Sequence, residues 1–593
     1  MKSIRNRLTI FAYRRPILLI MVSFVLLSCL LVFTSSFLAY FVFDTTDFFE
    51  GSFGKALFYA LEWIIMPDLT IDVRGLPLFY LALTTTILGM ILFSGTIIGV
   101  VTNAIQNYVE SRKTHKGLLK VTQHMLIVNY NSKCPIICYD IFQNNTKTII
   151  AIVSDRDREY IEGELLNVFT KEGKPWLIKN ILIKQAPVVN ENVLLKMNAA
   201  KCDSILILDN DDVTEKGIEM SSTDLENIKI VIMLSKYVKP DVQISVETED
   251  ERTVEIIRKF LRENPKINGA NILAFSYNRK IAQVTANSLF NSKLITVYEN
   301  MLSLQGDNIV SIPALDIESF LKERDFGVPI YRDKDHLYLL GDQAERSLKP
   351  ADLPWSVAPS LTCKKGYKPE HQDIYILGSN RLEEEVVASL SSFIDAGIVT
   401  FHQYGFNDRA DFVKALTKDD LPKTALLISD DAVEAKYIDQ NIFLTLFEIN
   451  QHVKKHNVKL VVQILNPSNQ GILDVFDIEG VVVSNRIISY LASQTLFNHM
   501  SYEFLDILFD PNDEGDNTFD IWVDKANRVF DLAEPKRYAH PGEFVLDAYL
   551  SSKHKIIPIG LFDHDKLVWF TRLRDTQLLE VNGDTEIIFV TYG

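Results

Sequence analysis

The stretch NRKIAQVTANSLFN at residues 278–291 returns as NRIISYLASQTLFN at residues 485–498, which is 207 residues further along the chain. An Asn-Arg pair, one isoleucine and a terminal Leu-Phe-Asn coincide between the two stretches without a gap. Shared composition alone rarely aligns such positions. The sequence therefore predicts two copies of one domain.

Short apolar runs alternate with helical patterns before each of these stretches. In the first copy the predicted strands are HMLIVNYN, TIIAIVSDRD, NILIKQ, DSILILDNDD, IKIVIML and VQISVET, and in the second they are DIYILGSNR, TALLISDD and VKLVVQIL. Continuous apolar strands separated by helices are typical of a parallel sheet that is covered on both faces. We expect two tandem α/β Rossmann-like domains, each followed by a smaller β-containing lobe, at about 305–345 and 518–593.

The first 110 residues are far more apolar than the remainder. Residues 17–43 and 76–107 carry no charged side chain, and about 20 apolar residues are enough for a helix to cross a bilayer. Basic residues flank the outer ends of both stretches, which places both termini in the cytoplasm. These basic residues are Lys2, Arg5, Arg7, Arg14 and Arg15 before the first stretch, and Arg112, Lys113, Lys116 and Lys120 after the second.

A third apolar segment, GKALFYALEWIIM at 54–66, lies between the two predicted spans. Its thirteen residues make a helix of about 20 Å, which is half a membrane. Pro67 ends this helix and Asp68 follows, with Glu62 and Asp72 as further acids nearby. A span, a half-length helix with an acid past its end, and a second span are the plan of a tetrameric cation pore, in which four Asp68 carboxylates favour cations. The alternative is an extracellular loop with an amphipathic helix.

Three glycines in the second span are candidates for a gate. Gly89, Gly95 and Gly99 permit close helix packing or a hinge, and the last two have small-x-x-x-small spacing. Glycine is also frequent in membrane helices without any role in gating.

Neither copy has the glycine-rich loop that brings backbone close to a pyrophosphate. The first copy offers Asn129 and Asn131 after its first strand, and Asp155 after its second, where an acid would bind a ribose or cap the next helix. The second copy offers Gly378 alone. No GxSxG, HExxH or P-loop spacing is present, so we expect no enzymatic activity.

Two acidic segments are candidate cation sites. Asp209 and Asp211 follow a strand, where they bind a divalent cation or cap a helix. DPNDEGDN at 510–517 resembles the start of an EF-hand loop, but its twelfth position is Ile521, so a solvated turn is the alternative. The candidate ligands in this second segment are Asp510, Asn512, Glu514 and Asp516.

The net charge of −16 argues against a nucleic-acid partner, because no basic face for phosphates is obvious in the sequence. Five cysteines without paired spacing indicate a reducing compartment. The cofactor is not determined by the sequence, and a divalent cation or a nucleotide is the candidate gating ligand.

Four stretches resemble a known family. LFYALEWIIMPD is similar to a pore helix with its acidic filter, GMILFSGTIIGVVTNAIQNYVES to an inner helix, and HMLIVNYNSK and ILGSNR to the first strand of RCK (regulator of potassium conductance) domains. The chain thus resembles the CASTOR/POLLUX ion channels in a short prokaryotic form. The filter departs from the family, since Pro67 replaces a small residue and no glycine follows Asp68.

The resemblance implies a homotetrameric, ligand-gated channel for potassium or calcium in a prokaryotic plasma membrane, with eight RCK domains in a cytoplasmic ring. Its expected parts are a transmembrane pore domain of two helices and a re-entrant pore helix (1–110), a gating linker (111–122), a first RCK-like domain (123–345), a linker (346–371) and a second RCK-like domain (372–593). The alternative is a membrane-anchored nucleotide-binding sensor or NAD-dependent oxidoreductase without a pore.

Overall fold

The protein forms two compact units in a computed structural model, Met1–Lys116 and Gly117–Gly593. The structure describes residues 16–43, 48–65, 75–113, 121–209, 222–239, 242–249, 251–264, 272–324, 326–342, 357–364, 367–378, 381–428, 437–453, 455–476, 478–497, 502–509, 519–573 and 578–592.

The N-terminal unit consists of helices. These are α1 (Pro16–Leu38, continued by a π-helical turn at Ala39–Phe43), α2 (Phe53–Ile65) and α3 (Leu76–Lys113). The short helix expected at 54–66 is thus present as α2. Its buried face repeats at helical spacing with Ala56, Ala60 and Trp63, which are fully buried. Thr85 on α3 donates a 2.9 Å hydrogen bond to Ser35 on α1, and α2 packs on both of these helices.

Large apolar side chains cover the outside of this unit. Leu26, Phe58 and Ile91 are 65%, 59% and 64% exposed, and extended apolar surface of this kind is normally covered by lipid or protein. Among the described residues, the helix Phe24–Phe43 is long and apolar enough to cross a membrane, whereas the apolar part of α3, Leu76–Leu92, is shorter. The first predicted span is supported, and the second stays a prediction.

The first copy contains a six-stranded parallel sheet in the order β3-β2-β1-β4-β5-β6, which is the order of dinucleotide-binding Rossmann folds. Its strands are β1 (Met125–Val128), β2 (Ile150–Ser154), β3 (Ile181–Gln185), β4 (Ser204–Ile207), β5 (Gln243–Thr248) and β6 (Ile272–Ser276). Its helices are α4 (Cys134–Asn144), α5 (Arg158–Lys171), α6 (Glu191–Lys196), α7 (Ser222–Leu234), α8 (Glu251–Glu263) and α9 (Tyr277–Phe290).

A small lobe follows the first copy. Its antiparallel sheet has the order β7-β9-β8. The elements are α10 (Lys293–Leu302), β7 (Asp307–Pro313), α11 (Ile317–Glu323), β8 (Val328–Arg332) and β9 (His336–Asp342).

The second copy has a five-stranded parallel sheet in the order β11-β10-β12-β13-β14. Its strands are β10 (Gln372–Leu377), β11 (Val399–Tyr404), β12 (Lys423–Leu427), β13 (Val458–Ile464) and β14 (Gly480–Val483). Its helices are α12 (Arg381–Ser389), α13 (Ser391–Asp395), α14 (Arg409–Leu416), α15 (Ile438–Val453), α16 (Gln470–Leu473) and α17 (Ser484–Phe497). Two parallel sheets in one chain confirm the prediction of tandem α/β domains.

The second lobe contains the sheet β15-β20-β17-β18 and the pair β16-β19. Its elements are α18 (Tyr502–Phe509), β15 (Phe519–Lys525), α19 (Ala526–Val529), β16 (Lys536–Tyr538), α20 (Pro541–Ser551), β17 (Ile556–Asp563), β18 (Lys566–Trp569), β19 (Leu579–Val581) and β20 (Glu586–Tyr592). The two lobes touch, since the amide of Gly327 donates to the carbonyl of Thr571 at 2.8 Å.

The helices that contain the repeated stretches are exchanged between the copies. Helix α9 follows the last strand of the first sheet and packs on α12 of the second copy, whereas α17 follows the last strand of the second sheet and packs on α4, β4 and β5 of the first. Because of this exchange, the two copies share one hydrophobic core.

One predicted strand is wrong. The run IKIVIML at 228–234 is the C-terminal half of α7, and the sixth strand is β6, which the sequence reading missed. A short apolar run fits a buried strand and a buried helix equally well. The buried residues Asn227, Val231 and Leu234 recur at helical spacing, which is the signal that separates the two.

Candidate functional site

The proposed pore segment lies at the end of α2. This helix ends at Ile65, and Pro67, Asp68 and Asp72 fall outside the described residues. Glu62 is half-buried in the last turn of the helix. The described part of the segment is therefore a short helix packed between two longer ones, with the filter candidates placed after it by the sequence.

Gly89 lies where α2 and α3 touch. A Cβ atom at this position would lie 2.6 Å from Cγ1 of Ile64 in the last turn of α2. The glycine therefore lets the end of α2 approach α3, which favours the packing interpretation of this residue over a hinge. Gly95 and Gly99 lie further along the same helix, and their role as a gate stays a prediction.

The loop after β1 in the first copy keeps the spacing of a dinucleotide fingerprint with other residues. Asn129, Asn131 and Cys134 stand where the three glycines would be. Asn129 has a left-handed backbone with φ 70°, a conformation that asparagine tolerates better than most residues. Its amide donates to the carbonyl of Leu208 at 3.0 Å and to Asn227 at 3.3 Å, which ties the loop to β4 and α7.

Asn131 turns into the protein. It is 2% exposed, and its amide nitrogen donates to the carbonyl of Asp209 at 2.9 Å and to Oε2 of Glu247 at 3.2 Å. A glycine here would leave room for backbone to approach a pyrophosphate. The asparagine side chain instead bridges the ends of β4 and β5.

An ion pair completes this network. Nζ of Lys133 lies 2.6 Å from Oε1 of Glu247, and the two side chains are 4% and 0% exposed. Nζ also lies 4.5 Å from the ring centroid of Tyr277, within the range of a cation–π interaction. The positive charge of Lys133 is thus paired with groups of the first copy itself.

Burial governs the electrostatics of this network. It raises the pKa of Glu247, and the adjacent Asp209 acts in the same direction, while the Lys133 ammonium opposes both. A bound pyrophosphate would bring more negative charge beside Glu247. The arrangement is a closed internal ion pair, and it disfavours a phosphate cradle in the first copy.

Asp155 is exposed at the end of β2. Oγ of Ser154 donates to its Oδ1 at 3.2 Å. The N-cap position of the following helix is held by Asp157, so the capping interpretation of Asp155 does not describe its position. An acid at this strand end remains accessible to a ligand.

In the second copy, the loop after β10 comes close to the end of β12 at Gly378. This residue has φ 133°, and a Cβ atom there would lie 2.5 Å from the carbonyl oxygen of Ile428. Glu383 occupies the position of the third fingerprint glycine; its carboxyl is buried and burial raises its pKa. The loop is therefore tightly packed against the end of β12.

The candidate cation ligands are not brought together in the described part of the chain. Asp209 is 6% exposed, and the hydroxyl of Tyr277 donates to its Oδ2 at 3.4 Å. Within that part, no group of three or more His, Cys, Asp or Glu residues is arranged to hold a metal ion. The candidates that lie outside the described residues are Asp211, Asp510, Asn512, Glu514 and Asp516.

Sequence reasoning missed Lys133 and Glu247 as members of this site. Glu247 is the one charged residue of strand β5, whose six residues are all buried, and a buried strand tolerates such a residue only when it is paired. Lys133 follows the loop asparagines directly. These two signals identify the pair, although not its geometry.

No protein-family model and no curated protein matches the chain. Among solved structures, the chain is similar to a GsuK channel bound to NAD, with 13% identity, TM-score 0.40, and 99% of this chain and 97% of that chain covered. A mutant of the GsuK channel is 12% identical at TM-score 0.37, with 80% and 98% covered. Malate dehydrogenase from Picrophilus torridus is 16% identical at TM-score 0.20, with 39% and 61% covered.

Proposed function

We propose that this protein is a homotetrameric cation channel whose gate is controlled by a cytoplasmic ring of Rossmann-like domains. The observation that carries the proposal is the order of elements within one chain. A short helix with an acid after it stands between two apolar helices, and tandem Rossmann-like copies with a shared core follow.

The lengths of the helices fit this function. Helix α2 has 13 residues and extends for about 20 Å, so it reaches halfway through a bilayer. Non-helical backbone after it is stable at membrane depth only where protein or water satisfies its polar groups. Helix α3 has 38 residues and extends for about 57 Å, which takes it beyond a hydrocarbon core of about 30 Å towards the linker at 111–122.

The exchanged helices provide a route for gating. Helices α9 and α17 each pack on the other copy. A movement of one copy is therefore transmitted to the other through these two helices. A ligand that binds one ring geometry more tightly shifts the gate by its difference in affinity. In this proposal the conducted ion is potassium or calcium, the ligand is a divalent cation or a nucleotide, the location is a prokaryotic plasma membrane, and both termini are cytoplasmic.

The decisive experiment measures ion flow through purified protein in planar bilayers. Wild type is expected to pass cations in preference to anions, and Asp68→Asn to lower the single-channel conductance at low salt by about tenfold, because it removes the charge that concentrates cations at the mouth. Glu50→Gln is the matched control, since Glu50 is an exposed acid that precedes α2, between the same two predicted spans, and is already paired with Lys55. The proposal fails if the tetramer passes no ions with Ca²⁺ or NAD present, or if the two variants behave alike.

An apolar patch on the second copy is where a neighbouring subunit would pack. Leu444 and Phe447 on α15 are 62% and 66% exposed, and Ile472 and Val475 at α16 are 46% and 69% exposed. The rings of Phe447 and Phe476 lie 5.1 Å apart and join the two elements. Exposed patches of this type mark protein–protein interfaces.

We expect Phe447→Asp to weaken the tetramer. Burial of a phenylalanine contributes about 2–3 kcal/mol, so its loss lowers the association constant by about 30- to 160-fold, and cross-linking of the full chain in detergent should show smaller species. Leu421→Asp is the control, because Leu421 is 62% exposed and lies outside the patch. An unchanged tetramer in Phe447→Asp would place the subunit contact elsewhere.

A sensor without a pore is the second candidate. It is favoured by the exposed Asp155 at the end of β2, which is accessible to a ligand. Such a sensor functions as a dimer and co-purifies with a nucleotide. The same cross-linking experiment therefore separates the two candidates, because a pore requires four subunits.

A further inference from the structure

A buried carboxylate joins the two copies at the contact between α4 and α17. Asp140 on α4 is 1% exposed. Its Oδ2 accepts a hydrogen bond from Oγ of Ser493 on α17. Its Oδ1 accepts from Oγ of Ser303 and from the amide of Leu304, both at 3.0 Å. One side chain thus links the first sheet's helix, the exchanged helix of the second copy and the segment that enters the small lobe.

The equivalent contact between α12 and α9 lacks this pair. Alignment of the two strand–loop–helix openings puts Ser389 opposite Asp140, and alignment of the repeated stretches puts Ala286 opposite Ser493. Oγ of Ser389 donates to the carbonyl of Glu385 in its own helix at 2.8 Å. The two related interfaces can therefore be compared within one chain. The carboxylate link joins α4 to α17, and the equivalent residues of α12 and α9 do not form it.

A second serine of α17, Ser489, is also aligned with an alanine of α9. Oγ of Ser489 lies within hydrogen-bond distance of two carbonyl oxygens, that of Asn485 in its own helix and, at 3.2 Å, that of Lys133 in the first copy, and the aligned residue of α9 is Ala282. Helix α17 therefore presents two hydroxyl groups, those of Ser489 and Ser493, to the loop and helix of the first copy. Helix α9 has methyl groups at both places.

The charge of Asp140 is disfavoured where it lies. Burial raises its pKa to about 7, although the hydrogen bonds from Ser493, Leu304 and Ser303 oppose the rise. The surrounding titratable and charged groups are Tyr139 on α4, Glu172 and Lys174 after α5, Glu299 on α10, and Arg486 and Tyr490 on α17. Nη1 of Arg486 lies 3.4 Å from Oε2 of Glu299, so the guanidinium pairs with that carboxylate and not with Asp140.

We propose that Asp140 is a proton-dependent latch at this contact: its burial between α4 and α17 costs least when the carboxyl is neutral, so protonation keeps α17 seated, and ionisation weakens the seating even though Ser493, Ser303 and Leu304 donate to the carboxylate. The sign follows from linkage. When α17 separates, Asp140 reaches water and its pKa returns to about 3.9. The seated form holds the proton more tightly, so seating is most stable below pH of about 4. It weakens by up to about tenfold per pH unit until pH of about 7 and then levels off.

The test is hydrogen exchange of the full chain in detergent between pH 5.5 and 8.5, corrected for intrinsic rates and followed in peptides 485–497 and 134–144. In wild type the opening constant of α17 should rise with pH and level off near pH 7. Asp140→Asn should remove this rise. Ser493→Ala should move the plateau to higher pH, because it removes a hydrogen bond that favours the ionised form. Ser389→Ala is the matched control from the other copy and should match wild type.

This readout is independent of ion conduction, so it does not depend on the channel proposal. A flat wild-type profile, or the same rise in Asp140→Asn, overturns the latch. If Asp140→Asn does not fold, Ser493→Ala decides alone, since a plateau at the wild-type pH means that the serine acts only in packing. Peptide 277–290 of α9 should show no step in any variant, and a step there would contradict the assignment to α4 and α17.

Discussion

Replacing Lys133 by methionine is expected to raise the local opening constant of the first Rossmann copy by about two to four orders of magnitude at pH 7. The change removes the ammonium group 2.6 Å from the fully buried Glu247 carboxylate. A buried charge left without its partner costs about 3–5 kcal/mol. Hydrogen exchange of peptides from β1 and β5 in the full chain measures this loss.

The pH dependence of that loss has a definite sign. Burial already raises the pKa of Glu247, and Lys133 is the group that opposes the rise. Without the lysine the carboxyl binds a proton more readily, so the destabilisation should shrink as the pH falls and grow as it rises. A loss that is independent of pH would show that methionine acts through packing alone.

Two further variants sharpen this test. Combining Lys133→Met with Glu247→Gln should recover most of the lost protection, because the neutral amide needs no cation and its oxygen can still accept from Asn131 and from the amide of Asp209. Lys259→Met is the control, since Lys259 pairs at 4.0 Å with Glu263 and the two side chains are 76% and 64% exposed. Removal of such a surface pair changes stability by less than about 1 kcal/mol.

The repeated stretches and the apolar strands were sufficient to predict the tandem α/β fold. The exchange of α9 and α17 was not predictable in the same way. Both copies have the same apolar pattern on these helices, so each helix buries a similar surface on its own sheet or on its partner's. Helix α9 begins directly after β6 and α17 directly after β14, so the direction in which each helix leaves its strand decides between these packings, and local patterns do not contain it.

The candidate site in the first copy was likewise only partly predictable from the sequence. The missing glycines at Asn129 and Asn131 could be read directly from the sequence, and they raised the question of whether the loop holds a phosphate. The pairing of Lys133 with Glu247 depends on the strand order β1-β4-β5, which brings together residues from distant parts of the chain. A loop motif contains no information about the far strand that its side chains reach.

The second large effect is expected for Gly378→Ala in the other copy. Gly378 has φ 133°, and the new Cβ would lie 2.5 Å from the carbonyl oxygen of Ile428. The unfavourable backbone conformation and the clash with β12 add to about 3–5 kcal/mol. We expect an increase of at least about a hundredfold in the opening constant of peptides from β10 and β12, measured by hydrogen exchange.

Gly397→Ala separates the two causes. Gly397 also has a left-handed backbone, with φ 69°, but no atom lies within 4 Å of its added Cβ, so only the conformational cost of about 1–2 kcal/mol applies. The damage at Gly378 should also cross between the copies, because α12 follows this loop and packs on α9. Protection in peptide 277–290 of the first copy should therefore fall with that of β10. If Gly378→Ala and Gly397→Ala weaken the second copy equally, the close approach of the loop to Ile428 does not exist in solution.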